Sequence, residues 1–252
     1  MGMPITVDIT DASATQSEIN KVFDYFASVD EKFSTYKETS EIMAINRKSL
    51  ELKNSSLAMQ TIFNLAEETK QLTEGYFDIK RKSNKGAKDL GKDWIGDFYD
   101  PSGIVKGWAI LQAAKILEND GFKNFYVDAG GDVEVRGTAA DGKWTIGIRN
   151  PFNQEEIVKK LCITDCGIAT SGTYIRGDHI YNPKTENGTP IDIISLTVIG
   201  PNAYEADRFA TAAFAMGRAG IGFIEKLPGF EGYMIDKNGI ATMTSRFENY
   251  CC

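Results

Sequence analysis

One histidine, His179, serves a chain of 252 residues. That scarcity excludes a histidine-rich zinc site. Cysteine is almost as sparse, with four residues, Cys162, Cys166, Cys251 and Cys252. Cys162 and Cys166 are four apart, a spacing that metal sites use, but no second Cys/His pair stands nearby. The alternation of "IVKKLCITD" points instead to packed thiols in a strand. The closing "YCC" reads as an exposed tail, and nothing resembles the cysteine framework of a secreted domain. No apolar run approaches membrane-spanning length. The opening "MGMPITVDITDAS" has no basic region, no apolar core and no lipid-attachment cysteine, so the expectation is a soluble, cytoplasmic protein with no membrane partner. Positive charge is also in deficit: 28 Lys and Arg face 35 Asp and Glu, a net charge of -7. Without a dense basic run, a nucleic-acid partner is excluded, and an anionic ligand needs a local donor cluster or a metal ion. There is no Gly-x-Ser-x-Gly elbow, no Walker A loop and no Gly-x-Gly-x-x-Gly opening a helix after a strand.

What is present is patterned for a folded core, with 42% hydrophobic residues. A strand over "PITVDIT" leads to a helix near 14–33, whose apolar face is Val22, Phe23, Phe26 and Val29 at helical spacing. A second helix runs from about Leu57 to Thr73, with Met59, Ile62, Phe63 and Leu65 inward, and stops at Gly75. "DIKRKSNKGAKDLGKD" is polar and reads as an exposed loop. "DPSGIVKGWAILQAAKILENDG" is a turn followed by a helix. Strands then dominate, interrupted by the helix "NAYEADRFATAAFAMG" and a short helix near 218–226. The last two strands are joined by Asn238-Gly239, a strong hairpin signal. Helices early and strands late predict one α+β domain over 1–252, an antiparallel or mixed β-sheet core flanked by helices.

Several segments carry chemistry-bearing residues. Asp207 and Thr211 are four apart in a helical segment and share a face. They suit two roles: hard oxygen ligands for Mg²⁺, or a carboxylate favoured by the helix dipole beside a packing threonine. In "DPSGIVKG", Asp100 precedes a turn and Lys106 lies in the following helix. Free N–H groups, Gly103 and one lysine fit a phosphate, and equally fit a capped surface helix. Gly130 and Gly131 in "VDAGGDVEV" suit either a close backbone approach to a ligand or a plain hairpin turn. His179 in "GDHIYNPKTENGTPI" is either a functional base or an ordinary residue at a strand edge.

Taken in order, the Met-Gly-x-Pro start, "FSTYKETSEIMAIN", "TEGYFDI", "DPSGIVKGWA", "DAGGDVEVRG", "GIATSGTY", "HIYNPKT" and "EADRFATAAFAMG" resemble the ApbE family of FAD:protein FMN transferases. The resemblance runs over nearly the whole chain. It implies an ApbE-like fold and an enzyme that binds FAD with Mg²⁺. Such an enzyme moves the FMN portion onto a Thr or Ser hydroxyl of an acceptor protein and releases AMP. Two further readings go with it: an Mg²⁺-dependent FAD pyrophosphatase giving FMN and AMP, and a non-catalytic flavin-binding protein. Residue by residue, it implies Asp207, Thr211 and the Gly103 carbonyl as metal ligands. Asp100 and Lys106 fall on FAD-contacting positions of an Asp-x-x-Gly-x-x-Lys pattern. Tyr36, Tyr76, Phe77 and Asp78 match flavin- or adenine-side contacts, Met1 matches the Met of the opening motif, and His179 matches the family's base. No Asp-Gly-x-Ser/Thr-Gly-Ala-Thr acceptor signature occurs in this chain, so the acceptor flavoprotein is another molecule. Two departures stand out. Glu186 and Asn187 lengthen the turn before Gly188, beside Thr185, and the stretch from Asp78 to Asp100 is shorter than usual.

Overall fold

The computed structural model describes residues 2–81, 98–173, 182–184 and 192–252. Met1, His179 and the Thr185–Gly188 turn lie outside the described residues, as does most of the polar stretch after Asp78. The chain opens with β1 (Ile5–Ile9) and the helices α1 (Gln16–Phe33), α2 (Glu41–Asn46) and α3 (Leu57–Leu72). After β2 (Lys80–Arg81) and β3 (Phe98–Tyr99) come α4 (Ser102–Asn119), β4 (Phe125–Ala129) and β5 (Asp132–Arg136). Strands β6 (Trp144–Asn150), β7 (Asn153–Ile163), β8 (Cys166–Gly172) and β9 (Ile193–Gly200) precede α5 (Ala203–Ala215), α6 (Gly220–Glu225), β10 (Glu231–Asp236) and β11 (Ala241–Met243). The central sheet has seven strands in the order β1-β4-β5-β8-β9-β10-β11, and every pairing among the described strands is antiparallel. This is the α+β arrangement expected from the pattern of elements.

Both sheet faces are covered. Helices α1 to α4 pack on one face over Phe125, Val127 and Ala129, and α5 and α6 continue that layer over Ala169, Leu196 and Val198. The opposite face carries Val133, Val135 and Ile168 against the β6–β7 hairpin and Phe247. The consequence shows in "DVEV" of β5. Alternation alone would turn Asp132 and Glu134 to water, because strand side chains alternate faces. Here both acids are buried under the helices while the valines pack on the hairpin.

Glu134 has a structural task there. It accepts the backbone N–H of Ala203 at the first turn of α5 and pairs with Arg136. Burial, opposed by Arg136, lifts its carboxyl to about 7. A carboxylate at a helix N-terminus satisfies an otherwise open donor and complements the dipole. Asn202 caps the same end by accepting from Glu205 N–H at 2.9 Å. The helix can dock this closely because β8 has Gly167 below it. A Cβ there would lie 2.0 Å from Ala203 N.

The α4 entrance is fixed from the other side. Buried Asn46, at the end of α2, accepts Tyr99 N–H at 2.7 Å and donates to Tyr99 O at 2.9 Å. Asp100 follows, paired with Arg81 at 3.0 Å and accepting Ser102 N–H at 3.1 Å. Two expectations are corrected in this region. Lys80–Arg81 pairs with Phe98–Tyr99 rather than joining an exposed loop, because Asn46 and Asp100 hold both strands in place. The α1 core face is Val22, Phe26, Val29 and Phe33, leaving Phe23 42% exposed.

A third correction concerns the cysteines. Cys166 is a buried thiol, raised to about 12 chiefly by burial, but Cys162 is bonded to Cys252. The tail is not frayed. Buried Phe247 anchors it, and Cys252 N–H donates to Lys160 O at 3.2 Å along β7. That course brings the two Cα atoms within 5.2 Å, a bridging distance.

Two measurements test this account. Thiol titration in denaturant should count two free thiols before reduction and four after; four before reduction removes the bridge. Gly167→Ala should destabilise the protein by about 1–3 kcal/mol in denaturant unfolding. Gly222→Ala, in α6 with nothing within 4 Å of its new methyl, should be neutral or stabilise by up to about 1 kcal/mol.

Candidate active site

Helices α4 and α5 cross antiparallel and touch through residues spaced by four on each. Gly107 faces Asp207 and Ala203, and Gly103 faces Thr211. A Cβ on Gly107 would lie 2.5 Å from Asp207 Cβ and 2.6 Å from Ala203 O. Ridges along i, i+4 rows interdigitate in this way, and a glycine lets them approach further. The same spacing that put Asp207 and Thr211 on one face therefore has a counterpart in Gly103 and Gly107.

The contact arranges polar groups as well as carbon. Asp207 is buried, and its Oδ2 accepts Gly107 N–H at 2.8 Å. In a regular helix that N–H serves the Gly103 carbonyl. Asp207 competes for it, and the Gly103 oxygen is met by the Thr211 hydroxyl at 3.4 Å. Ser171 of β8 stands 3.5 Å from the same hydroxyl. Phe77, itself buried, closes the other side: a Cβ at Gly103 would be 3.4 Å from its ring.

Charge is concentrated at Lys106. Its ammonium contacts Asp132 and lies 3.6 Å from Asp207 Oδ1. Both carboxylates are buried, whereas the Lys106 side chain is 16% exposed. Burial raises the Asp207 carboxyl above the usual carboxylate range. Lys106 opposes that shift, and the neighbouring Asp132 adds to it. Lys106 also lines an open groove with Met3, Phe33, Tyr36, Ser102 and Val105. The groove has an apolar floor and Tyr36, 74% exposed, at its edge.

The structure thus brings together Gly103, Lys106, Asp207, Thr211 and Phe77, with Tyr36 on the adjoining groove. Three other candidates are engaged locally. Asp78 pairs with Lys70 and accepts Lys80 N–H, each at 2.8 Å. Tyr76 carries Lys184 over its ring at 4.1 Å. Asp100 holds Arg81 and the first turn of α4. Gly130 and Gly131 form the hairpin turn between β4 and β5, both residues at positive φ, with Met3 against Gly130.

Sequence reading missed Gly107, Ser171 and Asp132. The signal for Gly107 was its spacing of four from Gly103. The signal for Asp132 was an acid directly after the turn, two residues before another acid on a strand with both faces covered. Among the described residues no group of three or more His, Cys, Asp or Glu side chains gathers. The oxygen set consists of one carboxylate, one hydroxyl and one carbonyl. All are hard donors of the kind that fits a small divalent cation, and Lys106 lies near the carboxylate.

Comparison with known proteins gives a consistent picture. The FAD:protein FMN transferase of Vibrio cholerae is 28% identical across 83% of this chain and 75% of its own length. Those of Klebsiella pneumoniae and Salmonella typhimurium are 31% and 32% identical over 62% and 61% of this chain. The matches span 48% and 47% of those two relatives, about half their length. Among solved structures, the flavin transferase ApbE from Vibrio cholerae superposes with a TM-score of 0.80 at 22% identity, covering 99% of this chain and 96% of that one. The ApbE protein from Thermotoga maritima gives 0.83 at 21% identity, covering 100% and 96%. At such identities these two likenesses speak for the fold. The model of the ApbE family matches residues 1–85 and 98–234, a span that includes both helices of the site, and the chain belongs to that family.

Proposed function

We propose that this chain, acting as one domain over 1–252, transfers the FMN portion of FAD onto a Thr or Ser hydroxyl of an acceptor protein, with Mg²⁺ and release of AMP. The relatives' shared name suggests the reaction class. The observation that carries it for this chain is the α4–α5 contact, which sets the Gly103 carbonyl against the Thr211 hydroxyl and, one turn away, the Asp207 carboxylate near Lys106. A chain of net charge -7 needs both Lys106 and a divalent cation to hold a pyrophosphate here, because Asp132 and Asp207 already face that lysine.

In this reading Asp207, Thr211 and the Gly103 carbonyl hold the metal. Bound there, Mg²⁺ would offset charge developing on the bridging oxygen as AMP departs. Lys106 holds a phosphate of FAD, and its preorganised ammonium needs little reorientation as charge builds. Met1, Tyr36, Tyr76, Phe77, Asp78 and Asp100 serve as the FAD-side contacts. The acceptor hydroxyl attacks the FMN-side phosphorus roughly in line, its O–P bond forming as the bond to AMP breaks. His179 takes the hydroxyl proton.

Incubation with FAD, Mg²⁺ and an acceptor protein should give covalent flavin fluorescence on the acceptor band. AMP without labelled acceptor would replace transfer with hydrolysis. His179→Ala should keep FAD binding, followed by flavin fluorescence quenching, and lose transfer by about 10²- to 10⁴-fold. Undiminished transfer removes the base assignment. Thr211→Val keeps the methyl that packs against Gly103 but removes the hydroxyl, and should raise the Mg²⁺ concentration for half-maximal rate. Thr211→Ser should restore it. Equal behaviour of the two would take Thr211 out of the ligand set.

A further inference from the structure

Asp132 stands at the exit of the Gly130-Gly131 turn and divides its carboxylate between two partners. Oδ1 accepts Thr170 N–H at 3.1 Å, extending the β5–β8 ladder by one bond. Oδ2 meets the Lys106 ammonium. The same ammonium is 3.6 Å from Asp207 Oδ1. The Asp132 and Asp207 side chains are only 2% and 4% exposed, so water screens these charges little. One cation therefore faces two buried anions at unequal distances. The closer is the acid outside the proposed ligand set.

We infer that Asp132 is a positioning residue for Lys106. It holds the ammonium off Asp207, which leaves an Asp207 oxygen open to a divalent cation. It also keeps Lys106 at the groove, where a phosphate can reach it. The inference rests on the reading of Asp207 as a metal ligand. Lysine is a compact charge on a flexible four-carbon stem and follows the strongest nearby anion. Without the charge on Asp132, the nearest buried carboxyl group left to Lys106 among the described residues is Asp207. The lysine would then occupy the approach that the metal needs. The backbone fixes Asp132 independently of this task, since its other oxygen is bonded to the sheet.

Asp132→Asn separates the two roles, because the amide oxygen still accepts Thr170 N–H while the charge is gone. The probe is Mn²⁺ alone, titrated into EDTA-stripped, FAD-free protein, with free Mn²⁺ read by EPR. Asp132→Asn should weaken Mn²⁺ binding on the order of 10- to 100-fold, the usual cost of losing a group that orients a metal ligand. In a Lys106→Met background, with no ammonium to reposition, most of that loss should vanish. Circular dichroism melts of all four proteins check that each is folded. An equal loss in both backgrounds, or none in either, overturns the inference and leaves the metal reading standing. No Mn²⁺ binding by the parent protein overturns both.

Discussion

The close contact between α4 and α5 at Gly107 is the constraint on which the site depends. With no side chain at Gly107, Asp207 reaches a backbone N–H inside another helix, at 2.8 Å. Any larger residue would push Asp207 and Ala203 away. The shift would propagate, because Ala203 is also the residue that Glu134 and Gly167 hold against the sheet. Asp207 and Thr211 are thus placed by three separate fixings of one helix. Side chains carried on helices held this firmly keep their positions relative to one another.

Burying acids in a chain already at -7 carries a cost that the fold must offset. The three buried carboxylates on β5 and α5 each have specific partners. Glu134 has Arg136 and a helix N-terminus, Asp132 has Lys106 and a strand N–H, and Asp207 has Gly107 N–H and a share of Lys106. Removing one partner of a buried pair typically costs about 3–5 kcal/mol, because the other charge is left behind. The arrangement is asymmetric. Glu134 ties the end of α5 to the sheet, whereas Asp207 shares the Lys106 ammonium with Asp132.

Much of this was legible in the sequence. The 3.6-residue periodicity placed α1, α3, α4 and α5 to within a few residues, and the Asp207–Thr211 spacing predicted one shared face. Asn238-Gly239 marked the last hairpin. The misses have a common physical cause, which is that they depend on what lies across the fold. "DVEV" reads as a strand with a wet face until α4 and α5 are known to cover it. Phe23 fits the helical stripe as well as Phe33 does, and only the neighbouring elements choose between them. Cys252 reads as frayed because nothing local shows that Phe247, five residues earlier, is buried. Asn46 gave no sign in its own segment that it would bond Tyr99, more than fifty residues away.

The two departures that the sequence resemblance implies fall where the fold can absorb them. The shortened stretch between Asp78 and Asp100 has both ends tied, by the Lys80–Tyr99 and Arg81–Phe98 pairs and by Asn46. The lengthened turn at Glu186 and Asn187 lies between β8 and β9, which are joined from Gly167 to Gly172 along one ladder, with Thr173 bonded to Ile194 O. Changing the length of a connection between fixed ends alters closure entropy only slowly, by about 0.6 kcal/mol per doubling. Neither change therefore needs to move Gly103, Lys106, Asp207 or Thr211. Connections of this kind are where related proteins vary and where recognition is commonly adjusted. Lys184 shows one way this turn meets the rest of the protein, since it sits 4.1 Å over the ring of Tyr76, in a segment tied through Phe77 to Gly103. The charge and oxygen atoms at the α4–α5 contact thus stay where α4, α5 and β5 put them, whatever the length of these two connections.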